Sequence, residues 1–346
     1  MTLALAVLAL MWLGMTAYAL FAGADFGAGF WDLVAGGTDR GAPQRRLIEH
    51  SLGPVWEANH VWLIFVLVVL WTAFPPAFAA VASTLYIPLT LAALGMIARG
   101  SAFAFRKTVS GLGLRRFFGA AFAFSSVVTP FFLGTVAGGV ASGRVPPGIA
   151  AGDVVTSWLN PTSILGGVLA VGACAYLAAV FLCADAVREG ASDVVPGMRV
   201  RALVSALIVG VVALVGIAVL RADAPLLFDG LTHRGLPLIV ASGLAGLASI
   251  WLLVIRRYLA ARLAAAAAVA AVVWGWAAAQ YPYVLAPQLT IEQAAASRTT
   301  LLAMLVSLII GGILLVPGLV YLYALFQRSP SGAGQPLGGR QRVPSR

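Results

Sequence analysis

Charged residues are scarce in this sequence. Lys and Arg number 22 and Asp and Glu 12, so only 10% of the 346 residues are charged. A soluble domain carries about 25% charged residues. Because hydrophobic residues make up 61% of the chain and its mean hydropathy is +0.97, most of its surface must lie in lipid. This composition excludes a soluble enzyme, a disordered protein and a nucleic-acid-binding module.

Cysteine and histidine are also rare. The two cysteines, Cys174 and Cys183, are nine residues apart. At about 100° per residue they fall on opposite faces of one helix, so they cannot pair with each other. No CxxC motif occurs, and the three histidines (His50, His60 and His233) are fewer than a chain that holds several haems by itself would need. We therefore expect no cofactor bound directly by this chain.

Nine apolar runs are long enough to cross a bilayer, which takes about 20 helical residues. They lie at 3–24, 54–74, 76–98, 117–140, 161–184, 202–220, 236–255, 260–280 and 299–326. Only Phe74-Pro75-Pro76 separates the second run from the third, which predicts a tight hairpin. No basic residue precedes the first run, so we expect that span to be retained. The sequence predicts an all-α polytopic membrane protein with about nine transmembrane helices.

The basic residues fall mainly on one side of these spans. Eighteen of the 22 Lys and Arg residues lie in alternate loops and in the C-terminal tail, and four lie on the other side. Cytoplasmic loops carry an excess of Lys and Arg. This distribution predicts an odd number of spans, with the N-terminus outside and the C-terminus in the cytoplasm. The net charge of +10 is thus explained by orientation in the bilayer, without a nucleic-acid partner.

A weak internal repeat divides the chain. The first span ends with F-x-x-A-D at residues 21–25, and the fifth ends with the same pattern at residues 181–185. We predict a first four-helix unit over 1–140 and a second over 141–281. An outer loop with the ninth helix follows over 282–326. The Gly- and Pro-rich stretch 327–346 is predicted to be a disordered cytoplasmic tail.

Three acidic residues, Asp25, Glu57 and Asp185, fall at the ends of apolar runs rather than in loops. Ionisable groups at membrane depth are costly and are candidates for function. Asp25 either has such a function or caps a helix end and pairs with an arginine. Asp185 has Arg188 three residues later, which favours a salt-bridged helix end. Arg99, after the third run, either pairs with Asp25 or Glu57 or extends to the membrane rim.

Glu57 lies in SLGPVWEANHVWLIF. Pro54 suits the first turn of the second span, which places Glu57 about one turn inside. His60 shares its face at the i,i+3 spacing, whereas Asn59 points elsewhere. A carboxyl group beside a histidine near the cytoplasmic rim can accept a proton and pass it inward. The alternatives are a helix-dipole contact for Glu57, a structural role for His60 and an interfacial position for Trp56.

Several segments resemble one known family. They read GADFGAGFWDL, RRLIEHSLGPVWEANHVWLIF, AFPPAFAAVASTLYIPLTLAALGMIARGSAFAFR and, near the C-terminus, YPYVLAPQLTI. Together they closely resemble subunit II of the cytochrome bd-type, cyanide-insensitive quinol oxidases. The first hundred residues are the specific part of the match, above all the run P-x-W-[DE]-x-N-x-V-W-L. Residues 110–280 match mainly in the pattern of spans.

The resemblance implies a subunit of a terminal oxidase in the respiratory chain of a bacterial inner membrane. Such an oxidase oxidises quinol and reduces O2 to water without pumping protons. Haem b, haem d and most of the quinol-oxidation loop are expected in the partner, subunit I. Subunit II is expected to be a non-haem scaffold of two four-helix bundles plus one peripheral helix. A small single-helix subunit is an additional candidate partner, and quinone and the lipid bilayer are the others.

The resemblance also implies roles for individual residues. Glu57 matches an acidic residue associated with proton uptake from the cytoplasm, and Asp25 matches the acidic residue at the end of the first helix. Some members have Gln where this chain has His60, so a histidine relay is not general in the family. The predicted proton pathway consists of Glu57, Asp25 and His60, supported by Trp56, Asn59 and Arg99.

Two other functions fit parts of the pattern. A purely structural membrane scaffold would stabilise a haem-bearing partner and would tolerate polar substitutions. A secondary transporter would be consistent with nine spans and a faint repeat. Transporters, however, often place charged groups on broken helices at the bilayer midplane, whereas the acids here gather at one rim.

Overall fold

The computed structural model describes residues 2–36, 41–52, 56–108 and 111–328, and these residues form an almost entirely helical protein. Within them the helices are α1 (Leu3–Leu33), α2 (Ala42–Leu52), α3 (Trp56–Ala73), α4 (Pro75–Thr84), α5 (Tyr86–Thr108), α6 (Leu112–Ala141), α7 (Pro161–Arg188), α8 (Val195–Asp223), α9 (Pro225–His233), α10 (Leu236–Val254), α11 (Tyr258–Gln280), α12 (Ile291–Ala294) and α13 (Arg298–Arg328). Strands β1 (Tyr283–Leu285) and β2 (Leu289–Thr290) pair antiparallel between α11 and α12. The tail after 328 lies outside the described residues.

The helices confirm the predicted class, an all-α polytopic membrane protein. In the described ranges, eight helices are long and apolar enough to cross a bilayer. The number rises to nine if α3 and α4, which are bent by 119° relative to each other, together form one span. The short helices α2, α4, α9 and α12 lie between these long helices.

The connection between the second and third spans differs from the predicted hairpin. Phe74 interrupts the helix, and Pro75 then begins the separate helix α4. Proline suits the first position of a helix because its missing N–H has no intrahelical partner there. Helix α5 begins only at Tyr86 and continues to Thr108, so the predicted boundaries 76–98 are wrong for this span.

The same sequence of helices occurs twice along the chain. Helix α8 ends at Asp223, Ala224 interrupts it, and Pro225 begins the short helix α9. The two interrupting residues have closely similar backbone angles, φ −133° and ψ 58° at Phe74 and φ −137° and ψ 64° at Ala224. A long helix, a short proline-started helix and another long helix therefore follow one another in both halves.

Helices α1 and α7 pack directly against each other at the centre. A side chain at Gly27 would overlap the backbone carbonyl of Cys174, so the two helices approach at a glycine. Small residues allow such close helix contact in membranes. Trp31, near the end of α1, adds a hydrogen bond to this contact by donating from Nε1 to the carbonyl of Ala175, in the middle of α7, at 2.8 Å. Cys174 and Cys183 are both buried free thiols, which confirms that they do not pair.

Helix α13 lies at the edge of the protein. It contacts α1 and α3, and most of its described side chains are exposed. Before it, the segment after α11 folds back as the β1–β2 hairpin and α12, whose capping box joins Thr290 to Gln293. The apolar pattern alone did not predict this small structured cap.

Candidate functional site

A buried ion pair between α1 and α5 is the centre of the candidate site. Arg99 Nη2 donates to Asp25 Oδ1 at 2.7 Å and to the backbone carbonyl of Asp25 at 3.1 Å. Both residues are only 1% exposed. Of the partners predicted for Arg99, the structure identifies Asp25, and the alternative of an arginine that extends to the membrane rim is wrong. The reason is the true extent of α5, which places Arg99 well inside that helix.

Further contacts hold the Arg99 guanidinium. Its Nη1 donates to Ser126 Oγ on α6. Its Cζ lies 5.0 Å from the ring centre of Phe26 and 4.2 Å from that of Phe122. Aromatic faces attract cations most strongly where water is excluded. A side chain at Gly29 would come within 2.8 Å of Nη1, so the glycine leaves the space that the guanidinium occupies.

One oxygen of the Asp25 carboxylate is not used by this pair. Asp25 Oδ2 is buried and has no hydrogen-bond partner among the described residues, and the same holds for Arg99 Nε. Buried polar groups are almost always hydrogen-bonded, so an unpaired one requires an explanation. The arrangement fixes Asp25 through Oδ1 and leaves Oδ2 without a partner among the described residues.

His60 and Asn59, both on α3, lie against the same part of α1. The His60 ring centre is 6.1 Å from that of Phe26 and 6.5 Å from that of Tyr18. Asp25 and Arg99 are both close enough to act on His60 electrostatically. Asn59 is buried, and its Nδ2 donates to the carbonyl of Phe21 at 3.4 Å. The structure therefore gathers Asp25, His60, Asn59 and Arg99 in one region.

Glu57 and Trp56 lie at the start of α3, whose first residue is Trp56. Glu57 is therefore in the first turn of the described helix rather than about one turn inside it. The side chains of both residues lie outside the described part of the chain, and so do residues 53–55. The predicted shared face of Glu57 and His60 therefore stays a prediction.

Asp185, the other acid of the F-x-x-A-D pattern, has a different environment from Asp25. It pairs with Arg188 at 3.2 Å and with Arg262 at 3.1 Å. The side chains of these two arginines are 48% and 30% exposed, whereas that of Arg99 is 2% exposed. Asp185 is thus the salt-bridged helix end that the sequence favoured.

The comparisons with known proteins agree with this fold. The family described as cytochrome bd terminal oxidase subunit II matches residues 3–326. The chain belongs to this family. A bd oxidase structure from Geobacillus thermodenitrificans is similar to it with a TM-score of 0.75 and 30% sequence identity. That match covers 94% of this chain and 99% of the other.

Two curated members of the cytochrome bd family are similar over shorter stretches. Cytochrome bd ubiquinol oxidase subunit 2 of Bacillus subtilis is 33% identical over 147 residues, 42% of this chain and 43% of the relative. Cytochrome bd-I ubiquinol oxidase subunit 2 of Escherichia coli K12 is 28% identical over 162 residues, 45% of this chain and 41% of the relative. The chain thus matches less than half the length of either relative.

The short helix α2 of this subunit II family member is hydrogen-bonded to its neighbours. Gln44 Nε2 donates to the carbonyl of Trp31 at 2.7 Å, and Gln44 Oε1 accepts a hydrogen bond from Arg201 on α8. Arg45 Nε pairs with Asp32 at the end of α1 at 3.0 Å. These contacts hold α2 against α1 and α8. In sequence, α2 lies shortly before the predicted proton-uptake residue Glu57.

A polar network joins the segment that follows α6 to α7 and α8. Arg144 donates to both carboxylate oxygens of Asp223, at 3.0 and 2.7 Å. The backbone N–H and the hydroxyl of Thr162 donate to the same carboxylate at 3.0 and 2.6 Å. These bonds connect the segment that follows α6 to the start of α7 and the end of α8.

The loop between α6 and α7 contains a second fixed carboxylate, Asp153. The N–H groups of Val155 and Thr156 and the Thr156 hydroxyl donate to Asp153 Oδ1 at 2.9, 2.6 and 2.9 Å. These hydrogen bonds favour the charged form and lower the pKa of Asp153 below its ordinary value. The hydrogen bonds that hold this loop are therefore local, and their strength depends on pH.

Sequence reasoning missed Ser126, Phe26 and Phe122, which surround the guanidinium. Ser and Phe are common in apolar helices, so nothing in their identity distinguished them. One usable signal was the arginine itself, because a buried arginine requires acceptors on neighbouring helices. Within the described residues, no three His, Cys, Asp or Glu side chains lie close enough to hold a metal ion.

Proposed function

We propose that this chain is the non-haem subunit II of a cytochrome bd-type quinol oxidase that reduces O2 to water. The family match over residues 3–326 supports the assignment. In this proposal the chain stabilises the haem-bearing subunit I. Haem b and haem d in that partner supply the electron transfer from quinol to O2.

The histidines of this chain suit a non-haem role. His233 is exposed at the end of α9, with 72% of its side chain accessible, and His50 is exposed in the last turn of α2. His60 is packed between the rings of Tyr18 and Phe26. The three are thus dispersed over separate elements rather than paired across a common space, as haem ligation by two histidines would require.

The proposed location is the bacterial cytoplasmic membrane, with the N-terminus outside and the C-terminus inside. The positive-inside distribution of Lys and Arg supports this orientation. It places Asp25, near the end of α1, and Glu57, at the start of α3, toward the cytoplasm. Protons used to form water would be taken up from that side.

The observation on which the proton route rests is the Asp25–Arg99 pair. Arg99 holds Asp25 in place through Oδ1, which positions a carboxylate deep in the helix bundle, and the buried Oδ2 atom is available to a proton. Glu57 is the proposed first acceptor, His60 the next group inward, and Asp25 the buried acid beside it. Because Arg99 compensates the charge of Asp25, the pair can persist at membrane depth.

The test compares two aspartates that end the same sequence pattern. In the purified complex, Asp25→Asn is expected to slow quinol-dependent O2 consumption at least about tenfold. Asp185→Asn, the matched control, is expected to leave turnover near the wild-type rate because Asp185 is a salt-bridged helix end. Glu57→Gln is expected to behave like Asp25→Asn.

A second variant guards against misfolding. Asp25→Asn alone leaves Arg99 with an uncompensated buried charge, so the double variant Asp25→Asn with Arg99→Gln removes both charges. We expect this double variant to assemble with full haem content and to remain slow. Full turnover in a haem-loaded Asp25→Asn or double-variant complex would reject the proton role and leave the purely structural function.

A further inference from the structure

Tyr18 lies on the Asp25 side of α1, deeper in the membrane. The two residues are seven positions apart, two turns of helix, so they share a face and their Cα atoms are separated by about 10 Å along the axis. In the orientation proposed above, Tyr18 is the residue of this pair farther from the cytoplasm. It is only 9% exposed.

The Tyr18 hydroxyl is chemically unusual for its position. It is buried and has no hydrogen-bond partner among the described residues. Buried tyrosines normally direct the O–H group at an acceptor. The ring itself is well packed, since Tyr18, Ala22, Phe26 and Cys174 form one buried cluster. Packing alone accounts for the ring but leaves the hydroxyl unexplained.

The surroundings of Tyr18 contain the predicted proton-carrying groups. From α3, the His60 ring centre lies 6.5 Å from the Tyr18 ring centre. Asp25 on α1, Arg99 on α5 and Cys174 on α7 are close enough to act on the hydroxyl electrostatically. Tyr18 and Phe26 lie on the two sides of His60, so a proton that reaches His60 has Tyr18 as its next polar neighbour toward the middle of the membrane.

We propose that the Tyr18 hydroxyl passes protons from His60 toward the middle of the membrane. This step extends the proton route of the proposed function, on which the inference rests. A proton from the His60 ring reaches the Tyr18 oxygen through a bridging water molecule. The original Tyr18 O–H bond breaks as its proton moves to a second water molecule, on the side of Tyr18 farther from the cytoplasm. Tyrosine is neutral before and after the step, and no electron is transferred.

The test variant is Tyr18→Phe, which removes one oxygen and keeps the ring that lies beside His60. In the purified complex we expect quinol-dependent O2 consumption to fall about threefold to tenfold, with unchanged haem content and quinol KM. The ratio of rates in H2O and D2O should rise, because proton transfer becomes limiting. Tyr176→Phe, which removes the hydroxyl of another buried tyrosine on α7, is the matched control and should match wild type in rate and isotope effect.

The outcomes separate this inference from the proposed function. Wild-type turnover in Tyr18→Phe together with slow turnover in Asp25→Asn overturns the role of Tyr18 and leaves the proton route in place. Wild-type turnover in both Tyr18→Phe and Asp25→Asn overturns the role of Tyr18 and the proton route together. If haem content falls in proportion to activity, or if Tyr176→Phe is equally slow, the hydroxyl acts in folding and the inference is wrong.

Discussion

A guanidinium group buried among transmembrane helices is costly unless several partners compensate for it. Arg99 has such partners on two other helices: the Asp25 carboxylate on α1, and Ser126 and the Phe122 ring on α6. Each contact involves a different face or nitrogen of the group. The pair is therefore a fixed element of the first half of the chain, and its stability depends on keeping both charges.

Removal of only one charge from this pair should be more damaging than removal of both. Arg99→Gln leaves Asp25 buried without its cation and is expected to destabilise the subunit by about 3–5 kcal/mol. The double variant Asp25→Asn with Arg99→Gln should recover most of this loss. Thermal denaturation of the solubilised complex checks the order. A double variant that is less stable than Arg99→Gln would contradict the account.

At the scale of helices, the sequence predicted the presence of the spans well and the connections between them poorly. Hydropathy located α3 and α5 because apolar length determines whether a helix can cross the bilayer. It did not show that Pro75 begins a separate helix, so the third span was placed about ten residues early. That shift assigned Arg99 to a helix end and concealed its burial. Tyr18 was equally inconspicuous, because a tyrosine in an apolar helix is usually part of the core.

The loop between α6 and α7 should respond to acid through Asp153. Its pKa is lowered in the folded chain by the hydrogen bonds from Val155 and Thr156. The stabilisation is therefore present above the ordinary aspartate pKa and is lost as the pH falls through the lowered folded value. Hydrogen exchange, corrected for intrinsic rates, should show protection at Val155 and Thr156 at neutral pH and loss of that protection in acid.

The variant Asp153→Ala supplies the control for this loop. Its amides at Val155 and Thr156 should exchange quickly at every pH, because the acceptor is gone. Protection in Asp153→Ala that equals that of wild type at neutral pH would show that the carboxylate does not hold the turn.

At the scale of the whole molecule, the recurring order of helices suggests two similar units that meet along α1 and α7. We propose the division at about residue 140 on this basis. The network of Arg144, Asp223 and Thr162 lies just after this division and joins the segment that follows α6 to α7 and α8. Because Asp223 is largely buried, we expect the network to stabilise the packing of these helices.

Loss of the hydrogen bonds in that network should lower the stability of the whole subunit. Asp223→Ala removes the acceptor of both Arg144 and Thr162 and is expected to cost about 1–2 kcal/mol. Asp229→Ala is the control, since Asp229 is 71% exposed and its pairing with His233 is expected to contribute little. Thermal denaturation should therefore show a lower midpoint for Asp223→Ala only. Equal midpoints for the two variants would contradict a role for the network.

The most direct test of the central claim is cytoplasmic proton uptake during O2 reduction. The wild-type complex and Asp25→Asn, both with full haem content, would be reconstituted in liposomes with a pH indicator on the cytoplasmic side. The account predicts that proton uptake and O2 reduction slow together in Asp25→Asn. Proton uptake at the wild-type rate in that variant would contradict a proton route through this subunit.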